Sequence, residues 1–303
     1  VSANPIVSSP RFDEWGETFA CFGATCGVFV TGDDAAAAVA HARRELLGWH
    51  ARFTRFDPAS ELSRFNADPR AAVPVSPTLA ELARVAVAAA ELTGGLVDAT
   101  LVGALERAGY WAELPAPLPL PIALRLAPPR APAAGHPDAP WRRLQVDGDV
   151  IVRPPGVALD SGGLAKGLFA DLLATGLAGH ESFGIDCAGD LRVGGAPRPI
   201  HVASPFGGPG LHTYALADCA VATSGIGRRS WIDARGRPAH HILDPATGAP
   251  AFTGVVQATA IAPTAVEAEI RAKAAVLTGP DGAADWLVHG GVLVFDDGSY
   301  RVA

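Results

Sequence analysis

The 303-residue chain contains only two lysines, Lys166 and Lys273, against 22 arginines. Lys166 lies in ALDSGGLAKGLFADLL, residues 158–173. There a strand delivers Asp160 to Gly162-Gly163 and a helix follows at once. Paired glycines let a ligand approach the backbone closely. A helix N-terminus offers free N–H groups and partial positive charge, which suits phosphate. A first-turn lysine opposes the helix dipole, so a phosphate-facing role explains Lys166 better than helix stability does. The spacing is not that of a Walker A loop.

Lys273 lies in APTAVEAEIRAKAAVL, residues 262–277. Glu269 and Lys273 are i and i+4 on one helix, the favourable order for an ion pair. Their neighbours are mostly small or apolar, which predicts a partly buried pair and therefore a desolvation cost. In AHHILDPATGAP, residues 239–250, His241 precedes Asp244 by three positions. The D-P-x-T-G turn can fix the imidazole as a general base near neutral pH; a hydrogen-bonded structural histidine is the alternative. In VATSGIGRRSW, residues 221–231, Thr223, Ser224 and Gly225 precede paired arginines that can bind an anion. GIDCAGDLRVGG, residues 184–195, reads as a bulged hairpin around a Gly-Asp turn.

These segments need elements to hold them. Residues 19–31 read as a first strand, followed by an Ala-rich helix capped by Asp33 and Asp34 and running to about Trp49. A short helix is predicted at 60–66 and an amphipathic one from Pro77 to Leu92, stopped by Gly94-Gly95. Residues 115–140 carry nine of the 26 prolines and predict an extended surface insertion with polyproline II character. It loosely divides a single domain spanning 1–303 into two halves. A hairpin turns at Asp147-Gly148, and helices are predicted at 164–177 and 264–277, the latter with a Thr264/Glu267 capping box. Strands recur at 183–186, 191–193, 199–203, 213–216, 255–261 and 292–295. Without a regular βαβ rhythm, the fold class is α+β with largely antiparallel sheets.

Composition narrows the function. Hydrophobic residues make up 49% and charged residues 18%, which excludes a disordered chain, and the net charge of −7 disfavours nucleic acid as a partner. The four cysteines, Cys21, Cys26, Cys187 and Cys219, form no C-x-x-C pair and read as small hydrophobes. No run approaches a membrane span and no leader pattern opens the chain. A cytoplasmic location is expected, although Val1 and the absence of Met are compatible with a removed export signal.

Taken in order, the segments resemble the ApbE family, the FAD:protein FMN transferases. The likeness runs through FGAT near residue 22, FDPASELSRFN (56–66), GLVDATLVGAL (95–105), LDSGGLAKG (159–167), CAGDLRVGG (187–195), ATSGIGRR (222–229), HHILDPATG (240–248) and the helix of 262–277. The resemblance implies a T-fold-like architecture with FAD in a cleft between the two halves. It also implies transfer of the FMN half of FAD to a Thr or Ser hydroxyl of an acceptor flavoprotein, with release of AMP. Asp98 and Thr100 would lie near the flavin. Asp160, Gly162, Gly163 and Lys166 would line the pyrophosphate region, Thr223, Ser224, Gly225 and Asp244 would line the rest of the cleft, and His241 would take the acceptor proton. The family's Mg²⁺ is held by a backbone carbonyl, here around Ala165, and by Asp and Thr side chains at the positions of Glu269 and Lys273. Glutamate can ligate Mg²⁺; an ammonium cannot. Lys273 is therefore expected near the metal's place, held by Glu269, with metal dependence reduced or lost. Ser161 and Ala188 stand where the family commonly has Leu and Gly. A non-catalytic FAD-binding protein and an FAD pyrophosphatase are the alternative readings.

Overall fold

The computed structural model describes residues 14–112 and 116–303. Residues 1–13, in the stretch read for a leader, and Pro115, at the start of the proline-rich segment, lie outside the described residues. The first half contains β1 (Glu14–Cys21), β2 (Ala24–Thr31), α1 (Ala35–Phe53), α2 (Glu61–Ala67), β3 (Ala72–Pro74), α3 (Pro77–Leu92) and α4 (Val102–Arg107). There follow α5 (Leu120–Leu126), β4 (Gln145–Asp147), β5 (Val150–Val152), α6 (Ala165–Leu177), β6 (Ser182–Cys187), β7 (Asp190–Gly195), β8 (Arg198–Val202) and β9 (His212–Leu216). The remainder is β10 (Cys219–Gly225), β11 (Ser230–Ile232), β12 (Pro238–His240), β13 (Leu243–Asp244), β14 (Ala249–Pro250), β15 (Val255–Ala262), α7 (Ala265–Thr278), β16 (Gly291–Phe295) and β17 (Tyr300–Val302).

An eight-stranded sheet in the order β1-β2-β6-β7-β10-β15-β16-β17 organises the chain. Every described pairing in it is antiparallel, as the α+β reading requires. The β10 register sets which side chains reach which face, since successive residues alternate. Ala220 and Ala222 join the main core, which also includes Phe169 of α6 and Ala268 of α7, whereas Val221 joins a smaller cluster with Leu191 and Ile200 on the other face. Small alanines at the sheet surface let α6 and α7 lie close to it. At the centre of the main core the Phe169 ring stacks with Trp49 at 4.9 Å, Phe53 at 5.8 Å and Phe22 at 5.9 Å.

Four sequence expectations change. The single strand at 19–31 is a hairpin, because Phe22 and Gly23 both adopt positive φ (55° and 69°), the geometry of a two-residue turn. That conformation is costly for an aromatic residue, and the stack on Phe169 offsets it. Asp34 takes the N-cap position of α1 in a left-handed conformation, with no side-chain cap bond. The proline-rich segment contains a helix, α5, with a proline in its first turn, where the missing N–H costs nothing. It is also fastened to the body: Leu118 N–H donates to Ser230 O (2.8 Å), Ala131 N–H to Phe252 O (3.1 Å) and Ala133 N–H to Leu277 O (2.9 Å). The Ala188-Gly189 turn is a regular tight hairpin, without the expected bulge.

Among the described residues no helix is long and apolar enough to cross a membrane. All four cysteines are free; Cys219 is half-buried and the others are buried. The aromatic stack yields a test: Phe169→Ala should cost about 3–5 kcal/mol of unfolding free energy in a urea denaturation series.

Candidate functional site

The starts of α6 and α7 meet at Gly167. A Cβ there would lie 2.8 Å from Ala265 O and 2.9 Å from Val266 N, so only glycine permits the approach. Each helix satisfies the other. The Asp171 carboxylate of α6 accepts from Ala265 N–H (2.8 Å) and Val266 N–H (2.9 Å) at the start of α7. In return Glu269 of α7 accepts from Gly167 N–H at 3.2 Å. Thr264 caps α7 by accepting from Glu267 N–H, but the Glu267 carboxylate turns to Arg271 and leaves the capping box half-made.

Both lysines converge on Glu269. Lys166 Nζ lies 3.4 Å from Glu269 Oε1 and makes a short ion pair with Asp190 of β7. Lys273 Nζ lies 3.9 Å from the same oxygen and donates to the Gly163 carbonyl. All four side chains are largely enclosed, with Asp190 and Glu269 at 2% and 3% exposure. Burial alone would lower the Lys166 pKa, but Asp190 and Glu269 together hold it well above its ordinary value. Burial likewise opposes ionisation of Glu269, and the two ammonium groups with the Gly167 N–H overcome that. Asp190 is pushed up to about 7 by burial and by Glu269, against the pull of Lys166. Lys273 is lowered, chiefly by burial.

A second set frames this cluster. Asp160 N–H donates to Ala99 O (2.8 Å), which brings the Asp98–Thr100 segment beside the glycine pair. Asp98 Oδ1 accepts from the Thr100 N–H (2.7 Å) and hydroxyl (2.6 Å), while burial raises the Asp98 pKa. Arg55 Nε pairs with Asp160 Oδ1 at 3.2 Å. Asn66 clamps Leu159 through both its backbone groups. On the other side, His241 Nδ1 lies 3.3 Å from Arg229 O, and Arg229 Nη2 donates to Phe22 O at 3.3 Å. A carbonyl can only accept, so Nδ1 carries the proton and Nε2 keeps its lone pair. Burial first, then the charges of Arg229, His240 and Lys273, hold the His241 pKa well below 6.5.

Several predicted residues already have protein partners. Lys166 is committed to Asp190 and Glu269 rather than standing free for a phosphate. Two N–H groups expected to be open at the start of α6 are also used, Ala165 by Ser161 O and Gly167 by Glu269. Asp244 spends both carboxylate oxygens on its own turn and on Ala134 of the proline-rich segment. Thr223 pairs its hydroxyl with Thr259 (2.9 Å) on the face of Val221, away from α7; Ser224 shares the face of Ala222 and Asp190. His240 is fully buried against Phe252, and burial lowers its pKa to about 3. Asp190, Arg55 and Asp171 were not singled out by the sequence, and Arg229 was read only as one of two anion-binding arginines. Asp190 carried a signal in the Gly-Asp step after Cys187; the others depend on contacts far apart in the chain.

The donors present do not fit the Mg²⁺ that the resemblance implies. One of its two side-chain positions is an ammonium, Glu269 already serves both lysines and a backbone N–H, and Lys273 donates to the Gly163 carbonyl, two positions before Ala165, around which the resemblance sets the metal's carbonyl ligand. Among the described residues no three His, Cys, Asp or Glu side chains come together to hold a metal ion.

The fold and this site define a helix-covered antiparallel sheet with a buried charge cluster at the start of two helices. The ApbE family model matches residues 22–295, and the chain belongs to the ApbE family. It is 33% identical over 142 residues to the FAD:protein FMN transferase of Treponema pallidum; the match covers 41% of this chain and 39% of that protein's length. The fold is similar to that of the ApbE protein of Thermotoga maritima, with a TM-score of 0.78 at 24% identity over 96% of this chain and 97% of the other. The flavin transferase ApbE of Vibrio cholerae gives a TM-score of 0.73 at 19% identity, covering 96% of each chain.

Lys166→Met would strand Asp190 and Glu269 without one of their cations. It should cost about 3–5 kcal/mol in chemical denaturation, beyond any effect on ligand binding. Gly167→Ala should also lower the midpoint of thermal unfolding by parting α6 from α7, although alanine is the better helix former.

Proposed function

We propose that this protein transfers the FMN moiety of FAD to a Thr or Ser hydroxyl of an acceptor protein and releases AMP. The observation that carries this reading is the His241 imidazole. It is neutral at physiological pH, with its tautomer set by the Arg229 carbonyl, and it lies within the electrostatic reach of Lys273. Membership of the ApbE family and the name of the T. pallidum relative support it.

In this reading Gly162 and Gly163 admit the pyrophosphate to the backbone and Lys273 faces it. The Asp98–Thr100 turn, joined to Asp160, lies toward the flavin, and Ser224-Gly225 close the cleft from the sheet. His241 Nε2 accepts the acceptor hydroxyl proton as the oxygen attacks the FMN phosphorus. The low basicity of His241 keeps it ready to accept, and that proton then leaves to solvent. The family's Mg²⁺ enters no step, because the donors do not fit it.

Incubation with FAD and a candidate acceptor distinguishes the readings. Transfer gives AMP and a covalently flavinylated acceptor. A pyrophosphatase gives free FMN and AMP, and a non-catalytic binder retains FAD unchanged; either outcome overturns the proposal. His241→Asn should lower the transfer rate by about 10²–10⁴-fold and leave FAD affinity nearly intact. Only the neutral ring is a base, and its pKa is depressed. The acidic limb of kcat/KM should therefore fall below pH 6.5, the ordinary imidazole value. A limb above that value would reassign the base.

A further inference from the structure

We propose that the Lys273 ammonium is this protein's built-in cation: held by the Gly163 carbonyl and the Glu269 carboxylate, it faces the FAD pyrophosphate and makes divalent metal unnecessary. This rests on the transfer reading above and adds the means of charge compensation. A carbonyl oxygen and a carboxylate are the hard oxygen donors that Mg²⁺ would take. Here both contact one ammonium, Gly163 O by a direct hydrogen bond and Glu269 Oε1 at 3.9 Å. Lysine has no lone pair to offer a metal while charged.

The local charge balance agrees. Lys166 and Lys273 pair with Asp190 and Glu269 within one enclosed cluster. With both carboxylates of the cluster already paired, a divalent ion there would depend on the FAD pyrophosphate alone for its counter-charge. The backbone is shaped for the ammonium as well. A Cβ on Gly163 would lie 2.9 Å from Lys273 Nζ, so a side chain there would displace the ammonium from its present position. A compact ammonium fits this space where a planar guanidinium fork would not. In a chain with 22 arginines, both lysines lie in this cluster.

During transfer the acceptor oxygen forms a bond to the FMN phosphorus. The bond from that phosphorus to the bridging oxygen breaks, and its electron pair leaves on AMP. The hydroxyl proton passes through His241 to solvent. Lys273 stays protonated throughout and offsets the charge that develops on the bridging oxygen.

The test measures metal and FAD binding directly as well as turnover. The purified protein is stripped with EDTA and titrated with Mn²⁺ by calorimetry, then with FAD by flavin fluorescence with and without Mg²⁺. The expected result is no saturable Mn²⁺ binding, and FAD affinity and AMP release indifferent to chelator. Glu269→Asp with Lys273→Thr restores two oxygen donors and should create saturable Mn²⁺ binding and Mg²⁺-dependent FAD affinity. Lys273→Met, checked for folding by circular dichroism, should weaken FAD binding by about tenfold or more. Saturable Mn²⁺ binding by the unaltered protein, lost in Glu269→Gln, would overturn the inference, as would FAD affinity that collapses in EDTA. Metal-indifferent FAD binding without any transfer to an acceptor would instead sink the proposed function and leave the built-in cation standing.

Discussion

Glu269 is a carboxylate withdrawn almost completely from water, and the candidate site is arranged around satisfying it. An isolated buried charge of this kind is untenable. Its partners are the Gly167 N–H, the Lys166 ammonium and the Lys273 ammonium. The N–H is reachable only because the starts of α6 and α7 cross in contact. The crossing in turn requires a glycine at 167 and the reciprocal cap from Asp171. Asp190, at the start of β7, ties this helix pair to the central sheet through Lys166. Sheet, helices and site therefore share one electrostatic joint.

That joint also sets the chemistry beside it. Burial first, then the charges of Arg229, His240 and the cluster's Lys273, keep the His241 imidazole neutral. The Arg229 carbonyl fixes its tautomer, and Arg229 itself is held by the Phe22 carbonyl in the β1–β2 turn. Phe22 in turn stacks on Phe169 in the main core. A core aromatic on α6 thus supports, through two hydrogen-bonded steps, the orientation of the candidate base. This is the supporting shell that a precise proton-transfer geometry needs.

Much of the architecture was legible in local pattern. Pro77–Leu92 is helical because its apolar residues recur at helical spacing behind a Ser76 cap that accepts from Leu79 N–H. The helix after Gly162-Gly163 was equally plain, as was the hairpin, although its turn falls at Gly148-Asp149, one residue beyond the expected Asp147-Gly148. The proline-rich segment misled because proline count says where a helix cannot continue. It does not say that a proline in the first turn of α5 is harmless. The β1–β2 turn was hidden because Phe22 in a left-handed conformation runs against local preference, and a distant ring stack decides it.

The order of the motifs, the two lysines and the i,i+4 relation of Glu269 to Lys273 were determined by the sequence alone, because each depends on residue type and spacing along one element. Which groups those side chains meet was decided by the tertiary structure. Lys166 and Asp190 are brought together across 24 positions, and Lys273 and the Gly163 carbonyl across 110. Asp244 reads as a cleft residue in sequence, and the fold adds Ala134, 110 positions away, as its partner. Thr223 and Ser224 are neighbours in the chain and face opposite sides of the sheet. The physical reason is common to all of them: pattern reports the periodicity of one element, while the partner of a buried charge is set by how separate elements pack.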